Sequence, residues 1–362
     1  TVNERIQWVR RQLTENGMDA CIIPSSDPHM SEYVSDHWKT RAYISGFSGS
    51  AGTFVVSRDM SGLWTDGRYY VQAAKELKDS ETVLFKAADA GCPTPTGYLA
   101  EHLPEGSIVG VNGKLFSAGQ VEKMRKEFSK KGIELELRAD YANTLWEAVE
   151  KTRPAEVFTE AFLLETKYTG ESAAEKLSRL REKLEELDAD AIAVSKLDNI
   201  AWLFNIRSGD IENNPVVISY AFVSKEEAVL FTESGRIPAC VRDDLAKEGV
   251  SIRGYEEIYS FLESTGSKLQ VLCDKEELNG ELAALIENNA ALTAVPGEDP
   301  IPLMKACKNK TENENTHSAY LKDGCALAEF YGWLFEELDK GTSLTEYDCV
   351  EKLAECRKAQ PL

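Results

Sequence analysis

One short pattern is written twice in this chain. The first copy runs Asp19-Ala20-Cys21-Ile22-Ile23-Pro24, Arg41-Ala42-Tyr43-Ile44-Ser45-Gly46, Thr53-Phe54-Val55-Val56 and Leu63-Trp64-Thr65-Asp66-Gly67-Arg68. The second runs Asp190-Ala191-Ile192-Ala193-Val194, Ile200-Ala201-Trp202-Leu203-Phe204-Asn205, Tyr220-Ala221-Phe222-Val223 and Leu230-Phe231-Thr232-Glu233-Ser234-Gly235-Arg236. A period of roughly 160 to 170 residues is far too long for a solenoid, so the pattern reads as two homologous domains in tandem.

Each copy follows an amphipathic helix. Ile6, Val9 and Leu13 mark the inner face of the first, and Leu177, Leu180 and Leu184 that of the second. In the first copy, strands are expected over 20–23, 53–57, 63–65, 81–86 and 107–111, with helices over 3–16, 69–77 and 117–131. Strands alternating with helices give an α/β layered fold, a mixed sheet flanked by helices. The linker Lys151-Thr152-Arg153-Pro154-Ala155 and the Pro-rich break at 295–302 divide the chain into 1–150, 151–299 and 300–362. The third part reads as helices over 309–338 and 346–358 with no strand partner. Two helices alone bury little apolar area. Phe330, Tyr331, Trp333 and Phe335 crowd one of them, which should therefore be buried against more protein. The expectation is a domain of which only the opening helices, ending at Gln360-Pro361-Leu362, are in hand.

At 362 residues the chain has room for about two to three domains. Its net charge of -20 argues against nucleic acid, whose phosphates need a basic surface. No apolar run is long enough to span a bilayer, and the charged helix over 1–17 shows no secretory signal. Eight scattered cysteines without a C-x-x-C pair suit reduced thiols in the cytoplasm. His29 and His37 read as solvated loop residues and not as metal ligands. Gly46, Gly49 and Gly52 form a tight loop; no Gly-Lys-Ser/Thr follows, as a phosphate loop would need. Ser50 lacks the spacing of a nucleophile elbow. Trp202 and Phe204 are expected as core and interface residues of the second domain.

Three segments resemble the Xaa-Pro aminopeptidase (aminopeptidase P) family in its three-domain cytosolic type. They are Ile22-Ile23-Pro24-Ser25-Ser26-Asp27-Pro28-His29 continuing to Gly46-Phe47-Ser48-Gly49 and Trp64-Thr65-Asp66-Gly67-Arg68-Tyr69; Asp198-Asn199-Ile200-Ala201-Trp202-Leu203-Phe204-Asn205 continuing to Asn214-Pro215-Val216; and Lys308-Asn309-Lys310-Thr311-Glu312 with Leu321-Lys322-Asp323-Gly324. The resemblance implies two creatinase-like N-terminal domains followed by a pita-bread catalytic domain that opens near Pro300. It implies removal of an N-terminal residue preceding proline, two Mn2+ in the intact enzyme and a homodimer. The metal ligands of the family, two Asp, one His and two Glu, belong beyond these helices. The chain alone is therefore expected to bind no metal and to be inactive, and no ligand role passes to His317, Asp323 or Glu329. Arg207-Ser208-Gly209-Asp210 departs from the family order Arg-Gly-Ser-Asp.

The resemblance makes Arg68 the main candidate for contacting the peptide substrate, since a guanidinium binds carbonyls or a carboxylate in fork geometry. The residues alone also allow Arg68 to pair with Asp66 as a turn residue. Arg41 and Tyr43 are weaker candidates, with strand-edge packing as their other reading. The alternative function is a stand-alone, non-catalytic peptide-binding or scaffold module. What separates the two is whether a segment with the Asp, Asp, His, Glu, Glu set accompanies the chain.

Overall fold

The computed structural model describes residues 1–361; Leu362, the last residue of the expected third part, lies outside them. Two six-stranded sheets carry the fold. The first holds β1 (Ala20–Pro24), β2 (Thr53–Ser57), β3 (Ser61–Thr65), β4 (Val83–Lys86), β5 (Ile108–Val111) and β6 (Glu134–Glu136) in the order β4-β3-β2-β1-β5-β6. A short ribbon pairs β7 (Phe162–Leu163) with β9 (Ile206–Arg207). The second sheet holds β8 (Ala191–Val194), β10 (Ser219–Ser224), β11 (Ala228–Thr232), β12 (Val250–Arg253), β13 (Leu269–Cys273) and β14 (Leu292–Pro296) in the order β12-β11-β10-β8-β13-β14. Both sheets are mixed in the same way. The central strand runs antiparallel to one neighbour and parallel to the other.

The duplication extends to single hydrogen bonds. Arg5, on the helix Val2–Glu15, donates Nη1 to the carbonyl of Tyr43 at 2.9 Å with its guanidinium 4.0 Å from that ring. Lys176, on the helix Ala173–Glu186, donates Nζ to the carbonyl of Trp202 at 2.8 Å and lies 4.5 Å from the indole. Arg10 Nε binds the carbonyl of Ser57 at 3.0 Å, as Arg181 Nε binds that of Ser224 at 2.8 Å. Asp19 Oδ2 accepts from the amide of Ile108, and Asp190 Oδ2 from that of Gln270. Thr65 Oγ1 donates to Ala51 O, and Thr232 Oγ1 to Ile218 O. These pairs set the correspondence residue by residue: Ala20 with Ala191, Thr53 with Tyr220, Trp64 with Phe231.

The segment around Arg41 and Tyr43 is the helix Thr40–Ser45, not a strand edge, and it ends on Gly46 at φ 74°. That left-handed stop favours glycine. Its counterpart, Asn205 at φ 54°, closes the helix Leu197–Leu203 and its following turn. Trp202 and Phe204 lie in the core.

The two sheet domains meet about a local pseudo-two-fold. The amide of Ala118 donates to Leu278 O at 2.9 Å, and the amide of Gly280 donates to Phe116 O at 2.8 Å. Between them Ser117 faces Asn279 in an antiparallel bridge. A Cβ on Gly280 would stand 2.5 Å from Val121 Cγ2 and 3.2 Å from Gly113 O. Gly280→Ala is therefore expected to weaken the chain by about 1–3 kcal/mol through overpacking. Urea unfolding measures this, and an unchanged midpoint counts against so tight an interface.

His29 is a correction to the sequence reading. It is fully buried between the domains, not solvated. Its Nδ1 lies 2.8 Å from Ser195 O and its Nε2 lies 2.7 Å from Tyr255 Oη. A carbonyl only accepts, so Nδ1 carries the proton and Nε2 accepts from the tyrosine. Burial lowers the His29 pKa below its ordinary value; Asp27 and Glu256 oppose the shift and Lys196 adds to it. Below pH about 6.5 the unfolded chain gains a proton here that the folded chain refuses, so stability falls as pH drops. Asp299, pushed up to about 7 chiefly by burial, acts with the opposite sign. Comparison with His29→Gln isolates the histidine. Between pH 7 and 5.5 the parent should lose stability relative to the variant; parallel thermal-midpoint curves would remove this assignment.

The linker is extended but tethered. Arg153 Nε donates to His37 O at 3.0 Å, and Glu156 accepts from Ser35 Oγ and Trp38 Nε1, both at 3.1 Å. Further on, Thr159 donates its amide and hydroxyl to Asp210 Oδ1. Asp210 is ion-paired with the buried Arg236 and also accepts from the amide of Ile218.

The backbone divides into two compact units, residues 1–163 with 173–302 and residues 164–172 with 303–362. In the second, the helices Lys310–Asp339 and Glu346–Lys358 pack through Ala326, Phe330 and Cys356, with Trp333 and Leu334 partly buried. Leu321, Tyr331 and Phe335 stay exposed within this unit. Within the unit the helix Glu346–Lys358 and the short helix Thr166–Thr169, bonded through Asn309 and Asn315, cover only part of the longer one.

Candidate substrate-facing site

The bonds present in both domains maintain the shared fold. Features present in one copy only are where function can differ. Two large cavities lie within the first unit, one at the sheet of the first copy and one between that copy, the linker and the second copy.

One cavity, of about 650 Å³, opens at the carboxyl ends of β1 and β3 and beside the turn after β5. Ends of this kind are where open α/β sheets take ligands. Trp64, Thr65, Asp66, Phe116 and Ser117 are among its lining residues. The other, about 670 Å³, is lined by Tyr33, Trp38, Arg41, Ser48, Val157 and Ile211, among others. Ser25 and Ser50 face both.

Arg68 sits on the turn that follows β3, with its side chain 70% exposed. It pairs in fork geometry with Asp66, Nε to Oδ1 at 2.9 Å and Nη2 to Oδ2 at 2.8 Å, and lies over the Tyr69 ring. Hydrogen bonding to Asp66 raises the arginine pKa, and the same contact lowers that of the carboxylate. The turn contacts fix the alignment of the two copies here. Asp66 accepts from the amide of Arg68 as Glu233 accepts from that of Gly235. Arg68 therefore matches Gly235 and has no basic counterpart in the second domain. The residue matching Arg236 is Tyr69. Both reach back to the loop that precedes the neighbouring strand, β2 or β10, Tyr69 Oη to Ser50 Oγ at 2.7 Å and Arg236 Nη2 to Ser208 Oγ at 2.9 Å.

Arg41 is 4% exposed and spends its donors on its own chain. Nε binds Ser25 Oγ at 2.9 Å, Nη1 binds Phe47 O at 2.5 Å, and Nη2 binds Gly49 O. Burial lowers its pKa to about 10, with the charges of Glu76 and Tyr69 opposing the shift. Tyr43 is buried too, stacked on Trp146 at 4.4 Å with Arg5 on its ring. Arg68 is thus the member of the three that reaches solvent. Arg41 and Tyr43 support the loop and helix behind it. Sequence reading did not single out Tyr69, and it noted Asp210 only as the acid of the Arg207-Ser208-Gly209-Asp210 loop; the partners of both come from other segments.

The residues present do not fit a dinuclear metal centre. Among the described residues no three His, Cys, Asp or Glu side chains come together as a metal-binding group. Asp323 is held by Arg357 at 2.7 Å, and His317 and Glu329 are exposed.

Two matches to the creatinase/prolidase N-terminal domain cover residues 5–137 and 152–312. Aminopeptidase P2 of Arabidopsis thaliana is 34% identical over 388 aligned positions, covering 99% of this chain and 54% of that protein. Xaa-Pro aminopeptidase 1 of Dictyostelium discoideum is 34% identical, with 99% and 58% covered. The solved X-prolyl aminopeptidase of Caenorhabditis elegans, described as a cytosolic enzyme with a di-nuclear active site, superposes with a TM-score of 0.89 at 30% identity. That match covers 99% of this chain and 60% of the other. The chain spans a little over half the length of the curated relatives it matches.

Proposed function

The chain belongs to the creatinase/prolidase N-terminal domain family, and from that premise we propose that it is the non-catalytic N-terminal part of a metal-dependent Xaa-Pro aminopeptidase. The observation that carries this reading is similarity to such enzymes over 99% of this chain, together with a donor set among the described residues that suits no metal pair. The intact protein would remove an N-terminal residue preceding proline, using two metal ions, manganese in this reading, held outside this chain. It would work in the cytoplasm as a homodimer. The chain alone would be inactive.

Recognition is the contribution assigned to the first domain. Arg68 is exposed and its fork is occupied by the solvent-facing Asp66, a partner it can exchange for a peptide carbonyl or carboxylate. Proline has no amide N-H, so recognition of the bond before it needs contacts other than a donor at that nitrogen.

The test is hydrolysis of Arg-Pro-Pro with added Mn2+, by this chain and by the intact protein that carries it. Turnover only by the intact protein is expected. Turnover by residues 1–362 alone would overturn the division of labour. In the intact protein, Arg68→Ala should lower kcat/KM about 10- to 100-fold, the range for losing one charge-assisted hydrogen bond. A ratio near one would remove Arg68 from the site. Light scattering decides the dimer.

A further inference from the structure

We propose that the open crevice of the first domain receives a peptide segment that inserts a ring side chain, imidazole or aromatic. This inference is independent of the catalytic reading and rests on what fills the same crevice in the second domain.

There the guest is visible. Residues 27–30 of the first domain enter the carboxyl-end crevice of the second. Asn279 Nδ2 donates to Pro28 O at 3.1 Å, and Lys196 Nζ lies 3.4 Å from Met30 O. His29 goes in as the ring. Its centroid is 4.6 Å from that of Tyr220, which in turn stacks at 5.1 Å on Tyr255. Asp27 Oδ1 shapes the loop by accepting from the amides of His29 and Ser31, both at 2.9 Å.

Strand register identifies the matching positions in the first domain. Tyr220 pairs with Phe231 on β11 as Thr53 pairs with Trp64 on β3. Arg253 pairs with Phe231 and Phe85 with Trp64, so Tyr255, two residues on, matches Ala87. Asn279, which grips the guest backbone, matches Ser117 across the pseudo-two-fold. Thr53, Ala87 and Ser117 all line the open cavity. Two tyrosine rings have thus become a threonine and an alanine, and among the described residues no loop enters. The result is about 650 Å³ of space beside Trp64 and Phe116, with the Ser117 hydroxyl placed where Asn279 holds a guest carbonyl. The carboxylates among the lining residues are Asp66, paired with Arg68, and Glu276, paired with Lys123. Net charge does not select the guest, so ring shape and one backbone hydrogen bond do.

The probe is the free peptide Ser-Asp-Pro-His-Met-Ser, the sequence of residues 26–31, titrated calorimetrically into the whole chain. One site with Kd of roughly 0.1–1 mM is expected, at least about tenfold weaker when alanine replaces the histidine. The variant Thr53→Tyr with Ala87→Tyr rebuilds the lining of the second domain and should abolish binding. No binding at about ten times that concentration, or equal binding to the rebuilt variant, overturns the proposal. Should that variant fail to fold, a photoreactive ring on the same peptide decides with the parent chain. Crosslinks to Trp64 or Phe116 support the crevice. Crosslinks to Tyr220 or Tyr255, where the peptide would have displaced residues 27–30, or to the rest of the surface, overturn it.

Discussion

Asp210→Ala is expected to destabilise the chain by about 3–5 kcal/mol, the cost of leaving a buried charge without its partner. The side chains of Asp210 and Arg236 are 0% and 3% exposed. Removing the carboxylate strands the guanidinium. It also releases the amides of Thr159 and Ile218, which anchor the linker segment and the start of β10. Denaturant unfolding gives the loss directly. Asp210→Ala combined with Arg236→Met should recover part of it, because no charge is then left unpaired. A loss below about 1 kcal/mol in the single variant would mean that water reaches the pair.

Arg41→Ala should cost about 3 kcal/mol, again by stranding buried partners, here two carbonyls and a hydroxyl. The guanidinium also packs 4.8 Å from the Phe47 ring, so contact area is lost with the charge. Arg41→Lys should recover little, because a point ammonium does not reproduce a three-way fork. With its pKa near 10, Arg41 remains charged at neutral pH. The local signature should be faster proteolysis within residues 46–52, the loop Arg41 pins between the two cavities. Stability and proteolysis both unchanged would show that the loop holds without it.

Much of the fold was legible because it depends on local pattern. The helix Val2–Glu15, the strands β1, β2 and β3 and the helix Ala118–Ser129 lie within two residues of their expected places. Apolar periodicity and a capping Ser or Thr fix such elements by themselves. The helix Pro95–His102 was missed although Thr94 caps it and Pro95 occupies its first turn. Its apolar face is only Leu99 and Ala100, too little for periodicity to show. The helix Thr40–Ser45 was misread because six residues are too few to tell a buried helical turn from a strand edge. The pairing of Arg68 with Asp66 was one of the two readings the residues allowed. That Arg41 and Tyr43 face inward was not legible, since burial depends on Phe47, Trp146 and Arg5 arriving from other segments.

The sequence by itself determined that this chain has two copies of one α/β unit, because hydrophobic pattern and turn residues act over a few positions and repeat with the copy. Only the tertiary structure decided which crevice is open and which is filled. That outcome depends on side-chain volume at Thr53 against Tyr220 and Ala87 against Tyr255, and on a loop around His29 meeting a sheet more than 160 residues away in the chain. No local rule carries such a contact, because its energy exists only once both domains have folded and met.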